Sequence, residues 1–435
     1  MVDYFMNGFT HFSFNTIYSS VKIVEIIIGV LYLLAALLLA IACWYRRCQG
    51  VILAVLIGLS GATLACQAQT TDGSPPSIGI EPADGWSVAA TWAHGRIIRH
   101  NKRFRPEVTE SSDVWELNLS RHLSGGKRAW QMRLGYPVAG ISLLHARMGN
   151  ADIFGNAYGA LLSVMFQSRW RHFSLQYRLG TGLAHVTQHY HPVTNPTNNV
   201  IGSHINNVTQ AQIAAQYNPH PRWGLSALLS FTHFSNGRTQ TPNLGINIGA
   251  YGLGLRYMWQ NPTLASRTAA DSVGSPRYNR RWHLGLTLGQ GIQEADQAGG
   301  PKFGVYVGRV YAVGRISPQW QLHAGLVVDY YTLYAYLGTA QGLYLPNESA
   351  ARALKITPYV AGELLLGRVS LYGSLGVYAY NRAFRRGNIP TKIGLQYYPL
   401  QTTDRRSNKQ LYIGVYLKSH LAVADYTELG LGYVF

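Results

Sequence analysis

From Trp86 to Phe435, apolar and polar residues alternate in segments of ten or so residues, broken by Gly, Pro, Asn and Ser. A period of two puts successive side chains on opposite faces, so each segment reads as a strand with one apolar face. About sixteen segments fit this reading. Among them are Ala129–Ala146, Gly224–Ser235, Asn247–Trp259, Leu322–Leu337, Ser370–Tyr380 and Glu428–Phe435. Short links such as 124–127, 168–171, 317–320 and 367–369 alternate with long ones such as 99–113, 187–207, 236–246 and 338–355. Short turns at one end and long loops at the other are expected of an outer-membrane barrel. The pattern therefore predicts an all-β chain, a transmembrane antiparallel β-barrel of about 14–16 strands. One ring of that size would enclose a channel. Two links, 260–281 and 400–410, break the alternation; the first, near the midpoint, can join two loosely similar halves.

The final segment is the most specific membrane signal. Leu429, Leu431, Tyr433 and Phe435 alternate with Glu428, Gly430, Gly432 and Val434, giving an apolar outer face that ends on Phe. A closed barrel also satisfies every backbone group in lipid, which an open sheet does not. A soluble β-sandwich ending in an ordinary strand is the competing reading.

Residues 1–68 read as an N-terminal extension and signal peptide, leaving 69–435 as the barrel. Val51–Ala65 follows Arg46 and Arg47 and ends in small residues, as a secretory signal does. Cleavage after Ala68 would remove all three cysteines, Cys43, Cys48 and Cys66; acylation of Cys66 is the alternative. The earlier apolar run, Ile26–Ala42, reads either as an inner-membrane helix or as an extension from a mis-assigned start.

Composition sharpens this picture. Only 13% of residues are charged, while 46 Gly and 29 Tyr are present. Ordinary soluble domains carry about 25% charged residues, so the shortfall suits strands with one face in lipid. The net charge is +18. A basic excess invites nucleic acid or an anionic membrane as partner. Lys22, Arg46 and Arg47 are the only basic residues before position 69, so the excess belongs to the exported part. Export argues against nucleic acid.

Parity along Gly224–Ser235 places Leu225, Ala227, Leu229, Phe231, His233 and Ser235 on one face, the lipid face. In the next segment Asn247 begins the outward series that continues through Tyr251, Leu253 and Leu255. Counting back from a periplasmic C-terminus, His233, Ser235 and Asn247 fall at the external end. Polar side chains grouped on the lipid side are costly without a function. The competing reading makes them interfacial residues where the apolar band ends.

His233-Phe-Ser235-Asn236-Gly237, followed by Pro242-Asn243-x-Gly245-x-Asn247, resembles the active-site segment of the lipid A 3-O-deacylases. These are outer-membrane barrels that hydrolyse an acyl ester of lipopolysaccharide. The wider chain resembles the long proteins labelled acyloxyacyl hydrolases, through His94–His100, Gly155–Tyr158, Asn195-Pro196, Gly202–Asn206, Lys418–Leu421 and Ala424–Tyr426. The short deacylases correspond to 86–259, leaving 282–435 as additional strands. The resemblance implies that Ser235 is the nucleophile and His233 its general base. Asn236, Gly237 and Asn243 would position the site or donate to an oxyanion. Where the short enzymes carry Glu as the third triad member, this chain has Asn247. An amide oxygen accepts the imidazole N–H but does not electrostatically stabilise the imidazolium.

Arg99, Lys102, Arg103 and Arg105 form a basic external run, either a contact for lipopolysaccharide phosphates or a solvated loop. His185, His189 and His191 cluster at another strand end without the acidic or cysteine partners that would complete a metal site. No cofactor or metal is expected. The function expected is therefore an outer-membrane serine ester hydrolase acting on lipid A. The alternative is a porin-like or structural barrel without activity. The sequence does not specify an oligomeric state.

Overall fold

The computed structural model describes residues 85–435 apart from 123–129, 132–133, 135, 171, 260–280, 296, 341, 343–344, 384–388, 402–408 and 421–422. The expected N-terminal segments with their cysteines, the turn at 124–127 and most of both irregular links lie outside the described residues.

The strands close as two rings. The first comprises β1 (Gly85–Ile97), β2 (Ser112–His122), β3 (Val138–Arg147), β4 (Asn156–Trp170), β5 (Phe173–Val186), β6 (Ile205–His220), β7 (Trp223–Ser235) and β8 (Ile246–Met258). Each pairs antiparallel with the next, and β1 closes on β8 from Ser87 opposite Met258 to Ile97 opposite Ile248. The second comprises β9 (His283–Glu294), β10 (Lys302–Arg315), β11 (Trp320–Tyr331), β12 (Leu354–Leu366), β13 (Val369–Gly376), β15 (Pro390–Gln401), β16 (Gln410–His420) and β17 (Val423–Val434). The two-residue β14 (Tyr380–Asn381) extends the edge of β12, and β9 closes on β17 from Gly285 opposite Val434. A single ring of about sixteen strands would hold a channel, whereas an eight-stranded ring is just wide enough for side chains to fill. The expectation of one wide barrel is corrected to two narrow, filled ones.

Exposure follows the alternation. On β7, Leu225, Leu229 and Phe231 are exposed while Leu228, Ser230 and Thr232 are buried. On β17, Leu429 and Leu431 are exposed and Glu428 is buried. Such outward apolar girdles, with no free sheet edge, are surfaces for lipid.

Two elements depart from the expected pattern. The predicted strand Ala129–Ala146 begins only at Val138; Trp130 and Gln131 are helical, and Tyr136 takes a left-handed φ of 56° before Pro137. The predicted strand Leu322–Leu337 ends at Tyr331 and turns into helix α1 (Thr332–Ala340), followed by α2 (Pro346–Ala353). Leu333 and Tyr334 of α1 are buried, and the Tyr334 ring lies 5.3 Å from Tyr331. A face that packs on the barrel mouth decides the conformation here, overriding the alternation.

Candidate functional site

Parity and register bring the site together. β7 and β8 are joined by the connection 236–245, and His233 stands directly opposite Asn247. Both project outward from the wall, at the strand ends that flank this connection. His233 Nδ1 lies 2.6 Å from Asn247 Oδ1. An amide oxygen only accepts, so Nδ1 carries the ring proton and Nε2 is left with its lone pair.

Gly245 keeps that edge of the ring open. Its φ is +79°, and a Cβ there would stand 2.8 Å from His233 Cε1 and 3.5 Å from Nε2. Its N–H donates to Val200 O at 2.9 Å, tying the connection to the loop between β5 and β6.

Ser235 is buried, at 6% exposure. Its Oγ receives the Asn243 Nδ2 amide at 3.0 Å and the Gly237 N–H at 3.2 Å. It is not hydrogen-bonded to His233. Residues two apart on a strand are about 6–7 Å apart, so contact needs the side chains to lean together. Catalytic hydrogen bonds are often open before substrate binds.

Asn236 has a different part from Asn243. Its Nδ2 donates to Ser203 Oγ and Gln240 O, both at 2.9 Å, and its Oδ1 accepts the Arg238 N–H at 2.9 Å. Its N–H donates to Asn243 Oδ1 at 3.1 Å. With these groups spent inside the turn, Asn236 shapes the connection, as Asx side chains do.

Behind the site, the same end of the first barrel is filled by apolar side chains. Phe104, Phe154, Val186, Val200, Ile201, Phe234, Ile246 and Ile248 form one buried cluster, joined by Leu244. This apolar plug fixes the strands whose outward side chains make the site. Deeper in the lumen, Arg178 forks onto the Glu116 carboxylate and reaches Ser142 Oγ at 3.0 Å and Gln210 Oε1 at 2.6 Å.

The basic run lies at the same end, in the connection between β1 and β2. Arg99, Lys102, Arg103 and Arg105 are all exposed. Asn199 holds this loop, accepting from Arg105 N at 3.2 Å and donating to Arg103 O at 2.6 Å. The histidines sort differently from expectation. His204 stacks on His185 with centroids 5.2 Å apart and meets His189 at 4.0 Å, whereas His191 Nδ1 accepts two backbone N–H groups of its own turn. Among the described residues no group of His, Cys, Asp or Glu has the geometry to hold a metal.

The sequence reading missed three contributors. Gly245 was quoted only as part of a motif. Thr209, directly opposite His233 on β6, joins Thr181 and Asn207 in an exposed hydrogen-bonded polar strip beside the imidazole. Parity along β6 would have found it. Glu294, at the end of β9, accepts from the N–H and Oγ1 of Thr241, and no local sequence signal marks it.

Comparison with known proteins agrees with this organisation. The family model described as lipid A 3-O-deacylase (PagL) matches residues 103–257, and the model described as acyloxyacyl hydrolase, C-terminal domain, matches residues 280–435. No curated protein sequence matches the chain. Among solved structures, that of the outer membrane enzyme PagL is 18% identical, with 40% of this chain and 98% of that one covered and a TM-score of 0.28. Ail, the attachment invasion locus protein of Yersinia pestis, is 15% identical over 41% of this chain and 100% of its own, with a TM-score of 0.26. The COG4313 outer membrane channel from Pseudomonas putida F1 is 10% identical over 83% of this chain and 99% of its own, with a TM-score of 0.19. With one family model on each barrel, the chain belongs to the lipid A 3-O-deacylase and acyloxyacyl hydrolase family of outer-membrane β-barrels.

Proposed function

We propose that this protein is a serine ester hydrolase of the bacterial outer membrane that removes an ester-linked acyl chain from lipid A. The observation that carries this reading is an oriented imidazole, His233 held by Asn247, on the outer wall next to a Ser235 hydroxyl that already faces two N–H donors. An outward site suits a substrate whose acyl chains stay in the lipid phase.

In the reaction, His233 Nε2 takes the Ser235 proton as Oγ attacks the ester carbonyl. The Gly237 N–H and the Asn243 amide, now touching Oγ, are placed to stabilise the oxyanion of the tetrahedral intermediate. Its collapse breaks the ester C–O bond, and His233 returns the proton to the departing alkoxide oxygen of lipid A, which leaves as a hydroxyl. Water, activated by the same imidazole, then frees the acyl chain as a fatty acid and restores Ser235. Asn247 Oδ1 holds the ring in the working tautomer throughout. Arg99, Lys102, Arg103 and Arg105 supply cations for the phosphates of lipopolysaccharide. The reading also implies export through the segment 1–68.

Mass spectrometry of lipid A from cells expressing wild type or Ser235→Ala tests the proposal. Loss of one acyl chain in wild type alone is expected. The same acylation pattern in both, across several lipid A types, would refute it.

A further inference from the structure

The hairpin that carries the oxyanion donors does not stand alone on the first barrel. Thr241 donates both its N–H and its Oγ1 to Glu294 Oε2, the hydroxyl at 2.8 Å, and its Oγ1 also lies 3.1 Å from Ala295 O. The Glu294 N–H donates to Arg238 O at 3.0 Å. Thr427 Oγ1 reaches Gly237 O at 3.4 Å, and Arg238 Nη1 lies 3.9 Å from Asp425 Oδ1. Glu294, Asp425 and Thr427 all belong to the second barrel.

These contacts bear on the residues that matter to Ser235. Gly237 offers its N–H to Ser235 Oγ while its carbonyl is taken by Thr427. Thr241 lies two residues before Asn243. Arg238 follows Gly237, and the two take left-handed φ values of 68° and 63°. A Cβ at 237 would stand 2.2 Å from Thr427 Oγ1, so the fit against β17 admits only glycine. Glu294 is 2% exposed and Thr241 8%. A carboxylate that deeply covered is retained only with its acceptors used, and the hairpin supplies the donors.

We infer that the second barrel is a brace for the catalytic hairpin, with Glu294 as the positioning residue that sets the Gly237 and Asn243 donors over Ser235. The inference rests on the hydrolase reading of Ser235. Glu294 touches no reacting atom; it acts through Thr241.

The test uses the full-length protein in outer-membrane vesicles, with two measurements made in parallel. Amide hydrogen exchange over 236–245 reads the hairpin itself, and steady-state release of fatty acid from lipid A reads kcat and KM. Removing hydrogen bonds to a buried charged group predicts that Glu294→Ala lowers kcat about ten- to hundredfold. KM should stay within about twofold, the mark of an interaction felt only in the transition state. Exchange over 236–245 should rise while that over β9–β17 does not. Glu294→Gln, which keeps an acceptor oxygen for Thr241, should recover most of kcat. Thr241→Val should reproduce part of the loss and add little to Glu294→Ala, because the two act through one contact.

Unchanged hairpin exchange in Glu294→Ala would overturn the inference, as would faster exchange with wild-type kcat. So would exchange that rises throughout the second barrel, which would mark Glu294 as a fold residue only. If wild type and Ser235→Ala leave lipid A equally intact, the hydrolase reading falls, and hairpin exchange alone then decides whether the brace exists.

Discussion

The two barrels share a wall design and differ in what fills them. The first is apolar in its external half, with Phe104, Phe154, Ile201 and Phe234 packed into one cluster. The second is filled by tyrosines and paired charges. Lys418 pairs with Asp329, which also accepts from Tyr426 OH at 2.7 Å. Glu428 takes Lys392 and, at 3.1 Å, Arg309, whose guanidinium lies 4.3 Å from the centre of the Tyr416 ring. His323 meets Glu363 at 2.9 Å. An apolar plug holds strands by close packing, so outward side chains keep their aim. A lumen of ion pairs holds a ring together by mutual satisfaction: the net gain of each pair is small, but removing one partner leaves a buried charge and is costly. The candidate site thus lies beside the apolar half of the first barrel, and the second barrel, polar along its lumen, is its neighbour.

Substitutions can break or sharpen this contrast. The largest effect is expected at Ser235. Ser235→Ala should lower the rate of fatty-acid release by roughly three orders of magnitude or more while leaving the fold intact. A substitution in the second lumen that lowers the chemical rate as far, with folding unaffected, would erase the division of labour.

Next comes Asp329→Ala, which leaves the Lys418 ammonium buried without its carboxylate. Breaking one side of a buried pair costs about 3–5 kcal/mol. Thermal unfolding of the second barrel, followed by gel mobility, should occur at a lower temperature than in wild type, with kcat of the folded fraction close to wild type. A variant as heat-resistant as wild type would contradict the ion-pair account.

At Asn247 the change is smaller and runs both ways. Asn247→Ala removes one hydrogen bond to the imidazole and should lower kcat about tenfold. Asn247→Glu places a charge beside the imidazolium that forms during attack, and kcat should rise. If Asn247→Ala keeps the wild-type kcat, His233 is not oriented from β8.

The smallest effects belong to the exposed loop. Replacing Arg103 or Arg105 by Ala should raise KM for phosphorylated lipid A by a few-fold at most, since exposed charge pairs contribute about 0.2–1 kcal/mol. The difference should shrink as salt rises. A salt-independent change would point away from phosphate contact.

Much of this architecture was legible because a strand writes its two faces into alternate residues. The outward placing of His233, Ser235 and Asn247 followed from parity alone, and so did the apolar face of Leu429 and Leu431. Ring closure was not legible. Whether β8 pairs onward to β9 or back to β1 depends on hydrogen bonds between distant strands, and the side-chain pattern is the same in either case. The link at 260–281 hinted at a junction without specifying two rings. Helix α1 was hidden because Leu333 to Leu337 is a short run of Leu, Tyr and Ala, which periodicity does not assign to strand or helix. Within the site, the sequence offered Asn236 and Asn243 as equivalent candidates. The fold separates them, since one amide is consumed by the turn and the other meets Ser235 Oγ. Glu294 carried no signal, because its importance arises from a contact across the two barrels.

The contact between Thr427 and Gly237 makes the site depend on ring closure. β17 closes the second ring by pairing with β9. The hairpin's seat is shared by both strands, Glu294 at the end of β9 and Thr427 on β17, so its full set of contacts requires the closed ring. Labelling of Ser235 by a fluorophosphonate should therefore weaken when Thr427→Val removes the contact to Gly237, and unchanged labelling would refute this dependence.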